Sequence, residues 1–208
     1  WYLSGHPVDA LAPWLKEIIS CRLGEARARV PRERKSRGSE LNLTLAGQVG
    51  LQRKRGDNIA FVQLQDGSGR LETAFFTEAY AEFGGLIQAG EIIVVEGVAG
   101  WDDFNGGPQL RVRRAWPLLE ACQHHARGLN IAVRNPTLDF TSELKRVLDA
   151  WRGGSLTVRL RYRRGAASVE LDLTEQWRVR ADPALPALLL KIPGVESAEL
   201  LFRRQISE

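Results

Sequence analysis

Nine side chains in the middle of the sequence have the types needed to hold an anionic polymer that carries flat rings. Arg53, Lys54 and Arg55 are consecutive and run into Gly56-Asp57-Asn58, which places three cations at a turn. Phe61, Arg70, Trp101, Phe104, Arg111 and Arg113 follow on stretches that read as strands or as the loops joining them. Clustered cations attract phosphates, and an exposed aromatic ring stacks on an unpaired base for about 1–3 kcal/mol. The combination predicts a groove for a single-stranded nucleic acid, with Arg53, Lys54 and Arg55 at its mouth. Phe61 has two readings: a stacking platform, if Val62 and Leu64 point inward, or a ring packed under a loop.

Other chemistry finds little support. Asp102 and Asp103 lie beside Asn105-Gly106, which is ordinary turn chemistry rather than a metal site. Cys122, His124 and His125 lack a fourth ligand for zinc. There is no phosphate-binding glycine loop and no nucleophile-base-acid arrangement. The sequence therefore implies no catalytic residue, no metal and no cofactor within this chain.

The elements that must position the nine residues run from Leu43 to Pro117. Leu43 to Val49 alternates as a half-buried strand does. Ile59 to Gln65 is a second strand, ending at the turn Asp66-Gly67-Ser68-Gly69, and Arg70 to Phe76 is a third. Thr77 is placed to cap a helix from Glu78 to Gln88. Glu91 to Gly100 and Gln109 to Arg113 complete five strands, with Arg111 and Arg113 on one face. Three strands, a helix and two strands is the order of an OB fold, a small Greek-key barrel.

The flanks are simpler. A helical lead-in, Val8 to Ile19, follows the turn Ser4-Gly5-His6-Pro7. Residues 22–40 form a basic linker in which seven cations meet three carboxylates and Pro31, Gly38 and Ser39 break any long helix. From Gly128 onward strands and helices alternate as β-α-β-β-α-β, the order of a split, ferredoxin-like unit. Its second strand carries Arg159, Arg161 and Arg163 on one face. The expected domains are 1–42, a helix and linker; 43–117, the barrel; and 118–208, a small α+β domain.

The composition, 44% hydrophobic and 26% charged over 208 residues, suits one or two globular domains. The net charge of +4 permits an acidic partner without requiring one. No apolar run reaches the roughly 18 residues of a membrane span, and no secretory signal is visible. Two isolated cysteines argue for a reducing cytoplasm. The start at Trp1-Tyr2-Leu3, without Met, suggests a piece of a longer polypeptide.

Tyr2-Leu3-Ser4-Gly5-His6-Pro7 resembles the YLxGHP motif that precedes the OB domain of bacterial replicative DNA polymerase III alpha subunits. Arg53-Lys54-Arg55-Gly56-Asp57, Leu64 to Glu72, Phe75-Phe76, Asp102-Asp103-Phe104 and Ala126-Arg127-Gly128-Leu129 are similar to the stretches that follow it. The resemblance implies the C-terminal region of such a subunit: an OB domain that contacts template single-stranded DNA, and a last domain that docks the tau subunit of the clamp loader. Leu200, Leu201 and Phe202 are its candidate docking residues. The parent chain would be a DNA-directed DNA polymerase whose catalytic residues lie upstream, and its partners would be other replisome subunits, with no membrane. The barrel signature is shared with aminoacyl-tRNA synthetase anticodon-binding domains, so RNA recognition is the alternative.

Overall fold

The computed structural model describes residues 14–30, 41–103, 105–165 and 167–202. His6, Pro7, Phe104 and the residues beyond Phe202 lie outside the described set, as does most of the expected first helix. The described chain divides between Ala121 and Cys122 into two compact units.

In the first unit, β1 (Leu41–Lys54), β2 (Ala60–Asp66), β3 (Gly69–Phe75), β4 (Ile92–Asp102) and β5 (Gly107–Pro117) close into a barrel of order β1-β2-β3-β5-β4. Closure comes from a short parallel contact in which Glu72, Thr73 and Ala74 face Gln109, Leu110 and Arg111. The alternation read from the sequence is observed in β2, whereas β1 is buried on both faces from Leu43 to Gly47. Leu45, Val62, Leu64, Leu71, Phe75, Val95 and Leu110 are buried in the barrel, and burying each stabilises the fold by about 1.5–3 kcal/mol. Thr73 also points inward and satisfies its hydroxyl on the Val62 carbonyl at 2.9 Å. Gly97 marks a bulge, where a Cβ would stand 2.1 Å from the Arg111 carbonyl oxygen; only glycine lets β4 and β5 approach so closely.

Two short helices precede β1: α1 (Leu15–Ile18) and α2 (Leu23–Arg29). The second corrects the linker reading. Residues 23–29 are helical and docked, because Leu23 and Ala26 are fully buried in the barrel's core cluster. The helix α3 (Thr77–Phe83) begins one residue earlier than expected. Phe76, not Thr77, is its N-cap, and a 3₁₀ turn over Gly84–Leu86 finishes it.

The second unit begins within α4 (Leu118–His125) and continues as β6 (Ala126–Arg134), α5 (Phe140–Asp149), β7 (Arg152–Arg164), β8 (Ala167–Asp172), α6 (Ala184–Leu189) and β9 (Val195–Phe202). The order is β-α-β-β-α-β, as read. The sheet order, β8-β7-β6-β9, departs from the split arrangement. β6 and β7 are parallel and directly paired, with nothing between them. The reason lies in β8: all six residues are exposed, so it is fit for an edge and not for an interior position. Trp177-Arg178-Val179 does not form a strand. Glu175–Trp177 is a 3₁₀ turn, and Val179 makes isolated bridges to Arg152 and Leu156. Pro183 is the N-cap of α6, and Asp182 just before it accepts the Ala184 N–H at 2.8 Å.

Candidate nucleic-acid interface

The outer surface of β2 and β3 collects part of the expected set into one row. Arg53 of β1 faces Phe61 of β2, Phe61 faces Ala74 of β3, and Ala74 faces Arg111 of β5. Ala74 is small and fully buried beneath this row, so the half-exposed Phe61 ring has a flat floor beside it. Phe61 therefore lies outside the barrel, because Val62 and Leu64 take the inward positions with no exposure at all.

The three consecutive cations do not act as one tip. β1 runs five residues past Val49, where the sequence reading ended it, so strand alternation throws Arg53 and Lys54 to opposite sides. Arg53 forms an ion pair with Glu72. Lys54 lies 5.9 Å from the Tyr80 ring of α3. Only Arg55 stands in the turn, where its N–H donates to the Ile59 carbonyl at 3.0 Å. The basic cluster is thus dispersed, and its electrostatic reach on the β2–β3 face is smaller than the sequence suggests.

Arg111 lies over the Phe76 ring at 5.4 Å, a cation-π contact that presents both groups together. Arg113 falls in the β4–β5 register shift, where Gly97 faces Val112 and Glu96 faces Arg114, and it reaches Asn42 at 3.5 Å. Both arginines border a cleft of about 740 Å³ that also holds Phe76, Glu78 and Glu82. Arg70 is exposed at the far end of β3, opposite Gln65. Trp101 is not in a loop: it is a β4 residue opposite Pro108, half-buried and packed against the barrel core.

Sequence reading missed the centre of the face. Glu72 accepts hydrogen bonds from Asn105 at 3.0 Å and Gln109 at 2.7 Å besides its pair with Arg53. Gln63 is its neighbour on β2. Arg27 of α2 borders the same cleft as Arg70, Gln63 and Glu72. Strand alternation already put Glu72, Gln63 and Phe76 on the outer set; what it lacked was the packing of α2.

The turn Asp66-Gly67-Ser68-Gly69 serves the fold. Asp66 Oδ1 accepts from the Ser68 N–H, the Ser68 hydroxyl and the Gly69 N–H at 2.7, 2.6 and 2.9 Å, and Oδ2 accepts the Leu23 N–H at 3.1 Å. Burial alone would raise the Asp66 carboxyl, but the hydrogen bonds from Ser68, Leu23 and Gly69 outweigh it and hold it below the usual carboxylate range.

In the second unit Leu201 is 40% exposed on β9, while Leu200 and Phe202 alternate to the other face and are half-buried. The three do not form one patch. The arginine row of β7 is engaged with β8: Arg159 pairs with Asp172 and Arg161 with Glu170. Both cysteines are free and buried, and burial, followed by Asp182, pushes the Cys122 thiol up to about 12. Among the described residues no three His, Cys, Asp or Glu side chains are placed to hold a metal, and no helix is long and apolar enough to cross a membrane.

A closed five-stranded barrel with this outer row defines the class. A family model described as an OB-fold nucleic acid binding domain matches residues 43–118. Over nearly its whole length the chain is homologous to a region of DNA polymerase III alpha subunits. It is 33% identical over 213 residues to the alpha subunit of Xylella fastidiosa, which covers 97% of this chain. It is 34% identical over 203 residues to that of Vibrio cholerae and 34% identical over 205 residues to that of Escherichia coli K12. The chain spans 17–18% of the length of these relatives.

Proposed function

We propose that this chain is a non-catalytic, cytoplasmic part of a replicative DNA polymerase alpha subunit, whose barrel holds single-stranded template DNA across β2 and β3. The observation that carries this reading is the row Arg53, Phe61, Ala74, Arg111: an aromatic platform over a flat floor, with a cation at each end. Homology to polymerase subunits favours DNA as the strand. Arg70 and Arg113 contribute cations beyond the row; Lys54, Arg55, Trp101 and Phe104 are proposed as further contacts on their residue types alone.

Titrating labelled oligo-dT against the chain at several salt concentrations tests the reading. Binding at about 50 mM salt that weakens as salt rises supports it. No detectable binding under those conditions overturns it, and a stronger response to an RNA hairpin than to DNA favours the anticodon-domain alternative.

For the second unit we propose docking to another replisome protein, the tau subunit of the clamp loader, through the β9 end. Leu201 is the exposed residue there, and Leu200 and Phe202 hold its strand against β6. Deleting β9 would strip one of the two pairing partners of β6, so Leu201→Arg is the informative variant. Unchanged capture by immobilised tau would refute the assignment.

A further inference from the structure

The cleft beside Glu72 has a hydrogen-bonding polarity that side-chain chemistry dictates. It measures about 310 Å³, at the small end of the roughly 300–1,000 Å³ of ligand pockets. Arg27, Gln63, Arg70, Glu72, Asn105 and Gln109 line it. An ionised carboxylate can only accept hydrogen bonds, so an amide that meets it must offer its NH₂ end. Asn105 Nδ2 meets two carboxylates, Glu72 Oε1 at 3.0 Å and Asp102 Oδ2 at 2.6 Å. Gln109 Nε2 meets Glu72 Oε1 at 2.7 Å. Both amides therefore keep their NH₂ ends on carboxylates and their carbonyl oxygens turned from Glu72; Asn105 spends two N–H donors in this way and Gln109 one.

We infer that this cleft takes one nucleobase and selects bases that carry an exocyclic amino group, adenine, cytosine or guanine, over thymine. The Asn105 and Gln109 carbonyls accept the amino hydrogens, and Arg27 and Arg70 stand where the adjoining phosphates pass. Thymine presents a carbonyl where cytosine presents an amine, and so meets an acceptor with an acceptor. Glu72 is the positioning residue: it orients Gln109, and with Asp102 it orients Asn105. This inference rests on the single-strand reading above and adds a base preference to it.

Cytosine and thymine are of similar size, so homopolymers of dC and dT separate the effect from stacking. The full chain should bind short oligo-dC roughly three- to tenfold more tightly than oligo-dT at neutral pH, the scale of one or two hydrogen bonds. Glu72→Gln lets the Gln109 amide turn around, while Asp102 still holds Asn105, so the ratio should fall. Gln109→Leu, which leaves Glu72 in place, should lower the ratio independently. Equal affinity for the two homopolymers, or a preference for dT, overturns the base preference while leaving single-strand binding standing. Failure to bind either one overturns both. A ratio that survives Glu72→Gln overturns the role given to Glu72.

Discussion

The Leu23 backbone N–H donates to the Asp66 carboxylate at 3.1 Å, across 43 residues of sequence. Beside it the Gly24 N–H donates to the Ser68 hydroxyl at 2.9 Å. The helix α2 has no side-chain cap of its own, so the β2–β3 turn supplies one. The contact fixes α2 on the barrel, and with it Arg27 at the edge of the cleft.

Asp66→Ala should therefore destabilise the first unit by about 2–4 kcal/mol, because one carboxylate satisfies four donors and charged hydrogen bonds contribute about 1.5–3 kcal/mol each before compensation by water. Gly24→Ala should act in the same direction, since a Cβ there would stand 2.6 Å from the Ser68 carbonyl oxygen. Urea unfolding of each variant measures the loss.

The Asp66 carboxyl titrates below its unfolded value, so its contribution is present above that value and is lost as pH falls through the folded one. Wild-type stability should drop below about pH 4, and Asp66→Asn should lack that part of the drop. Acid titration followed by circular dichroism distinguishes them.

His125 gives a second pH window. It is 5% exposed, and burial, followed by His124 and Arg127, pushes its imidazole down to about 4. The unfolded chain binds this proton near pH 6.5 while the folded one does not, so stability falls as pH falls from there to about 4, by roughly 1.4 kcal/mol per unit and about 3 kcal/mol in all. An imidazole resonance titrating near 4, and a flatter stability profile in His125→Gln, are the expected outcomes.

Phe61→Ala should weaken oligo-dT binding by about 1–3 kcal/mol, the contribution of one stacked base. The ring is half-buried outside the barrel, so the far-ultraviolet spectrum should stay that of the unaltered chain. Fluorescence anisotropy gives the affinity.

Arg70→Ala and Arg111→Ala should each reduce the slope of log K against log salt, by about 0.7 for every phosphate contact removed from a single strand. Arg53→Ala should change the slope less, because Glu72 already offsets its charge. An equal change for Arg53 would mean that the Glu72 pair opens when DNA arrives.

Much of the barrel was legible in the residues alone. Val62 and Leu64 against Phe61 and Gln63, or Leu71 and Phe75 against Glu72, state by alternation which side each strand buries, because a pleated strand has a fixed period of two. Asp66-Gly67-Ser68-Gly69 announces its turn by the same local logic. The length of β1 was less legible: read as ending at Val49, it runs on through Lys54, and so splits the basic cluster.

The sequence by itself determined the period, polarity and order of the strands, since those follow from the shape of each residue and its nearest neighbours along the chain. Tertiary structure alone decided that Glu72 gathers Arg53, Asn105 and Gln109, that α2 seats on Asp66, and that β6 lies directly against β7. Each of these joins segments far apart in the chain, and their meeting depends on how the barrel and the sheet close, a property of the whole packed unit that no local pattern of side chains encodes.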